Sequence, residues 1–153
     1  MHAHPSDASQ APSPILILGS TSPYRRELLS RLRWPFEVAS PEVNECPLPG
    51  ETPRQTSLRL ATLKAQAVAE RRTDDVVVIG SDQVADLDGT LLGKPGDHAG
   101  ARQQLQAMRG RTVHFHTAVC VKRVASGFEQ TQTSTVSVRF RMLSDEAIDT
   151  YLH

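Results

Sequence analysis

Three short stretches of this chain carry residue types that handle phosphate: Ser20-Thr21-Ser22-Pro23-Tyr24-Arg25-Arg26, Gly80-Ser81-Asp82-Gln83-Val84 and Gly93-Lys94-Pro95. Arginine and lysine offer fixed positive charge, the serines offer hydroxyls, and Asp82 sets a carboxylate among them. Each stretch begins where an apolar run ends. That predicts a position at a strand end or in the loop beyond it, where open α/β sheets hold their ligands. The grouping suits a pocket for an anionic, phosphorylated small molecule.

The elements that must position these residues follow from pattern. Residues 1–14, with Pro5, Pro12, Pro14 and the lone His2 and His4, have little to bury and read as a flexible, solvated tail. Ile15-Leu16-Ile17-Leu18 is too short for a helix and suits a strand covered on both faces. Pro23 favours a first helical turn, so Ser22 becomes an N-cap and Leu28, Leu29 and Leu32 one face of a helix over residues 23–33. A short strand over 36–39 and a loop rich in Pro41, Pro47, Pro49 and Gly50 come next. Thr52-Pro53 opens a second helix that ends near Arg72, with Leu58, Ala61, Ala65 and Val68 on its buried side.

Val76-Val77-Val78-Ile79-Gly80 reads as a buried strand whose apolar character stops at Ser81-Asp82. Asp88-Gly89 is a two-residue hairpin signal that pairs this strand with residues 90–92. Asp97 caps a third helix bearing Ala101, Leu105 and Met108, and Gly110 ends it. Alternating segments over 112–124 and 131–142, around a turn at Ser126-Gly127, predict an antiparallel pair with one wet face. Ser144 caps a last helix in which Ile148, Tyr151 and Leu152 need something to pack against. The expected fold class is α/β, with a mixed twisted sheet and flanking helices in one domain over residues 15–153.

Composition narrows the partners. Seventeen basic residues balance seventeen acidic ones, so no global positive field draws the chain to nucleic acid or an anionic membrane. Phosphate recognition must therefore be local. Cys46 and Cys120 form no Cys-x-x-Cys pair, which argues against a zinc knuckle or disulfide scaffold and for a reducing, cytoplasmic setting. No apolar run approaches the roughly 20 residues that span a bilayer, and no signal-type start is evident.

Read together, the motifs resemble those of the Maf family of nucleoside triphosphate pyrophosphatases, most closely its 7-methyl-GTP pyrophosphatase subgroup. The resemblance rests on the three stretches above, on Pro41-Glu42-Val43-Asn44-Glu45, and on Arg59-Leu60-Ala61 with Lys64-Ala65, all in order and spacing. It implies a fold like that of the inosine triphosphatases, and hydrolysis between the α and β phosphates that releases a monophosphate and pyrophosphate with magnesium or manganese. It also implies a further C-terminal portion beyond residue 153 that closes the nucleotide cleft.

The residues suit that reaction. A triphosphate repels an incoming oxygen nucleophile, so Arg25, Lys64 and Lys94 can spread its charge, while Ser20, Ser22 and the first helix N-terminus hold phosphate oxygens. By the resemblance Asp82 is the proton acceptor, its pKa needing no unusual value, and Glu45 shares the metal with it. Tyr24 and Gln83 match positions that set base choice. An aromatic face attracts the cationic 7-methylated ring, and an amide both donates and accepts along a base edge. A homodimer is one assembly the chain could adopt.

Plainer readings compete at each position. Asp82 could brace a turn, Arg26 could be a solvated helix face as readily as a phosphate contact, and Glu45 and Lys64 rest mainly on the resemblance. Gly93-Lys94 is no Walker loop, because Asp88 and Pro95 stand where it needs glycine and a hydroxyl. His114 and His116 share a strand face without a clear third ligand, so a polar sheet surface is expected there rather than a metal. The rival functions are a dTTP or UTP pyrophosphatase of the same family, or a nucleotide-binding regulator without turnover.

Overall fold

The structure is a computed structural model, and it describes residues 13–93 and 95–153. The expected tail lies almost wholly outside the described residues, as does Lys94. The strands are β1 (Ile15–Gly19), β2 (Glu37–Val38), β3 (Val76–Leu87), β4 (Thr90–Leu92), β5 (Thr112–Arg123) and β6 (Phe128–Arg139). The helices are α1 (Pro23–Ser30), α2 (Pro53–Ala69), α3 (His98–Met108) and α4 (Asp145–Leu152). The strands form one sheet in the order β2-β1-β3-β5-β6, with β4 also paired to β3. β1 runs parallel to β2 and β3, while β4 and β5 run antiparallel to β3 and β6 antiparallel to β5. The sheet is therefore mixed.

Each helix starts where a short polar side chain satisfies an otherwise unpaired N–H. Ser22 accepts from the Arg25 amide at 3.3 Å, Asp97 from Gly100 at 2.7 Å and Ser144 from Ala147 at 3.0 Å. Thr52 and Gln55 form a reciprocal capping box at the start of α2. The helices end earlier than the sequence predicts. α1 stops at Ser30, and the chain turns at Arg33 with φ 55°; α2 stops at Ala69.

One face of the sheet carries the core. Ile17, Val76, Val78, Ala118 and Cys120 pack against Ala61, Ala65, Val68 and Ala69 of α2. Leu58 is only partly buried at the edge of this cluster. Gly80 is required here, since a β carbon on it would stand 2.3 Å from the Ala61 carbonyl oxygen and 2.6 Å from the Ala65 nitrogen. Helix and strand meet backbone to backbone at that point. On the opposite face α1 covers only part of the sheet, and none of its side chains is fully buried.

β3 corrects one expectation and creates the site. Ser81 and Asp82 do not end the strand, which continues to Leu87 because β5 pairs with it from Val77 to Asp86. Asp82 thus sits inside a strand, not at its end. The neighbour on the other edge, β1, stops at the Gly19–Gly80 pair, and β4 begins only at the Ala85–Leu92 pair. Between them one edge of β3 lies open from Ser81 to Val84. That gap forms the floor of a cleft.

Candidate active site

Ser20, Ser22, Arg25, Glu45, Lys64, Asp82 and Gln83 all line one cleft of about 530 Å³. They come from separate elements. The Ser20–Ser22 turn leaves β1, Arg25 lies in the first turn of α1, Glu45 stands in the loop before α2, Lys64 projects from α2, and Asp82 and Gln83 lie on β3.

The turn after β1 is tied by its own hydroxyls. Ser20 Oγ accepts from the Ser22 amide at 3.1 Å and from Arg25 Nη1 at 3.4 Å. The guanidinium is thereby drawn back over the helix start, beside the N–H groups that the helix leaves exposed. Arg26 does not join this cleft. It borders a separate groove with Glu27, Trp34 and Phe36, in keeping with an ordinary solvated helix face.

The centre of the cleft is a buried cation gripped by two carboxylates. Lys64 Nζ lies 3.0 Å from Asp82 Oδ1 and 2.7 Å from Glu45 Oε1, and it also donates to the Ser81 carbonyl at 3.4 Å. Lys64 and Asp82 side chains are each 8% exposed, whereas Glu45 is 56% exposed and reaches in from solvent. Burial pushes the Asp82 carboxyl above its ordinary range, opposed by the hydrogen bond and charge of Lys64. Its acidity is therefore perturbed, although the reaction as read from the sequence does not require it.

Asp82 Oδ2 is buried and has no hydrogen-bond partner among the described residues. Such an orphaned carboxylate oxygen is costly unless something else satisfies it. Among the described residues no three His, Cys, Asp or Glu side chains converge as a metal-ligand set. A pair of carboxylates with one oxygen to spare nonetheless fits a hard divalent cation that keeps most of its waters.

A second pocket, of about 460 Å³ and mostly apolar, adjoins the first and shares Arg25 and Gln83 with it. Its walls are Tyr24, Leu28, Leu29 and Leu32 from the α1 region and Ile79, Thr117 and Val119 from the sheet. Tyr24 and Gln83, far apart in sequence, thus border the same space. Gln83 Nε2 donates to Thr117 Oγ1 at 3.1 Å. Sequence reasoning missed Thr117, because only the β3–β5 register sets it opposite Gln83.

His114 and His116 do not line either pocket. His116 Nε2 lies 2.9 Å from Asp86 Oδ2, its Nδ1 bonds Thr135 Oγ1, and His114 Nδ1 bonds Ser137 Oγ, so strand neighbours satisfy them. Cys120 is buried in the core and Cys46 is exposed in the loop before α2.

Known proteins resemble this chain at two levels, sequence and fold. The chain is 62% identical over 137 residues to a protein from Polaromonas sp. named 7-methyl-GTP pyrophosphatase, covering 90% of this chain and 62% of that one. A protein of the same name from Albidiferax ferrireducens is 61% identical, covering 90% of this chain and 68% of its own length. This chain thus spans roughly two thirds of the length of these curated relatives. Among solved structures it is similar to the Ham1 protein of Staphylococcus aureus, with TM-score 0.56 at 15% identity over 81% of this chain and 70% of that one. The nucleoside-triphosphatase of Mycobacterium abscessus gives TM-score 0.53 at 17% identity, over 80% of this chain and 72% of that one. At such low identity these two show a shared fold. The sequence profile of the Maf-like protein family matches residues 15–153, every element just described, and the chain belongs to that family.

Proposed function

We propose that this chain is a nucleoside triphosphate pyrophosphatase that hydrolyses 7-methyl-GTP to the monophosphate and pyrophosphate. The observation that carries the reading is the buried Asp82, with one oxygen on Lys64 and the other unpartnered among the described residues, at the floor of a polar cleft that adjoins an apolar pocket. The polar cleft takes the triphosphate and the apolar one the base. The names of the relatives from Polaromonas and Albidiferax support the same substrate.

Water adds across the α–β anhydride. The oxygen–phosphorus bond forms as the bond to the pyrophosphate leaving group breaks, and Asp82 takes the water's proton. Burial raises the carboxyl's proton affinity, which suits a base, while Lys64 keeps it ionised until the proton arrives. Arg25, the Ser20 and Ser22 hydroxyls and the α1 N-terminus hold the phosphate oxygens. Lys94 is assigned to the same phosphates from its place in the Gly93-Lys94-Pro95 motif. Lys64 lines the cleft, but its ammonium is held by two carboxylates, so it serves Asp82 first and the phosphates second. Asp82 and Glu45 would hold a magnesium or manganese ion, which when bound offsets phosphate charge and acidifies water. Tyr24 stacks on the methylated, cationic base, and Gln83, steadied by Thr117, reads its edge.

A second reading, nucleotide binding without turnover, is favoured by the openness of the base pocket, where Tyr24 is 70% and Leu32 65% exposed. Pyrophosphate and orthophosphate release from 7-methyl-GTP, GTP, dTTP and UTP separates the readings. Pyrophosphate alone, fastest from 7-methyl-GTP, is expected. Binding with no release supports the second reading, and a preference for dTTP or UTP overturns the base assignment.

A further inference from the structure

Glu45 sits in a segment with little backbone structure of its own. Residues 39–48 carry no helix or strand, Glu42 has φ 51°, and Pro41, Pro47 and Pro49 offer no N–H. Something outside the segment must fix where the Glu45 carboxylate points. α2 supplies it. Arg59 donates through Nε to Glu51 Oε2 at 2.6 Å, and through Nη2 both to Glu51 Oε1 at 3.2 Å and to the Cys46 carbonyl at 3.0 Å. Glu51 Oε1 also accepts from the Leu48 amide at 3.1 Å and the Thr56 hydroxyl at 2.7 Å. This carboxylate is fully engaged in holding the loop, so of the loop's acids it is the one built to anchor. The carbonyl that Arg59 grips belongs to Cys46, the residue immediately after Glu45.

We propose that Arg59 is a positioning residue, which by clamping Glu51 and the Cys46 carbonyl sets Glu45 against Lys64 and Asp82. The inference rests on the reading that Glu45 and Asp82 hold a divalent cation. A forked guanidinium is suited to the task because it fixes both distance and orientation, where a lysine would fix only distance. Glu51 is held ionised to about pH 2, chiefly by the Arg59 hydrogen bond, so the clamp stays charged throughout the working range.

Mn2+ binding followed by electron paramagnetic resonance on the full chain tests this, with nucleotide binding in the presence of chelator as the control. Arg59→Met and Glu45→Gln should each weaken Mn2+ binding by roughly tenfold or more, the usual cost of losing a ligand or its support. The double variant should be no weaker than Glu45→Gln alone, because Arg59 acts through Glu45. Arg59→Lys should fall between. Metal-free nucleotide binding should change little in the Arg59 variants, since Ser20, Ser22 and Arg25 are untouched. Should Arg59→Met fail to fold, Glu51→Gln carries the same test, keeping the side-chain shape while removing the charge the fork grips. Mn2+ binding like wild type in Arg59→Met, or losses that multiply in the double variant, would overturn the inference alone. An unsubstituted chain that binds no Mn2+ would overturn the metal reading of Glu45 and the inference with it.

Discussion

Asp82 and Lys64 form a pair whose members need each other, and the pH dependence follows from which way each effect pulls. Burial raises the Asp82 pKa above the ordinary 3.8, so the folded protein holds this proton more readily than the unfolded chain. The sign is unusual for an aspartate. Above the folded pKa its charge works against folding, and this cost disappears as pH falls below the unfolded value. Asp82→Asn removes this pH-dependent cost but leaves the buried Lys64 ammonium with Glu45, so its stability relative to wild type should fall as the pH drops toward 3.8, as thermal melts across that range would show. Its turnover should nevertheless fall by about 100-fold or more, the usual contribution of a positioned base. Lys64→Met removes the main influence that holds Asp82 ionised, and it should move the acid limb of the pH–rate profile to higher pH.

At the scale of elements, the contact between α2 and β3 decides where those residues meet. Gly80→Ala would drive a methyl group into the backbone of α2, with 2.3 Å to the Ala61 carbonyl oxygen. Overpacking of this kind costs about 1–3 kcal/mol or more. Because the helix must retreat, denaturant unfolding should show that loss, and activity should fall further than stability as Lys64 moves away from Asp82. The loop before α2 has its own pH signature. Glu51 is lowered from 4.5 to about 2, so its stabilisation is complete above 4.5 and disappears as pH falls toward 2. Amide exchange at Cys46 and Leu48 should stay slow at pH 5 and accelerate near pH 2, beyond the intrinsic pH effect.

Much of this framework was legible in the sequence, for local reasons. Ser22, Thr52, Asp97 and Ser144 announce helix starts because each cap is completed within three residues of itself. Asp88-Gly89 announces the hairpin because both residues take positive φ, 52° and 87°. The length of β3 was not legible, since Ser81-Asp82-Gln83 is polar and only pairing with β5 keeps it extended. Nor was the Asp82–Lys64 pair: it joins different elements, and nothing in either segment names the partner. Arg59 stood in a recognisable motif, but its task became apparent only once Glu51 and Cys46 were beside it.

For the molecule as a whole, the sheet has one covered face and one that is largely open. Phe128 is 47%, Val136 57% and Val138 38% exposed on β6, a strand hydrogen-bonded along one edge only among the described residues. Open edges and apolar patches favour association. The isolated chain should bind an apolar dye and self-associate as concentration rises, measured by light scattering, and Val136→Lys should reduce both. The same open face borders the apolar pocket proposed for the base. Proton transfer to Asp82 is tested most simply by pyrophosphate release from 7-methyl-GTP by the wild-type chain beside folded Asp82→Asn. Release by the wild type that falls about 100-fold in the variant is the predicted result. Equal release from both would contradict the assignment of Asp82 as the base, and with it the account of how this cleft works.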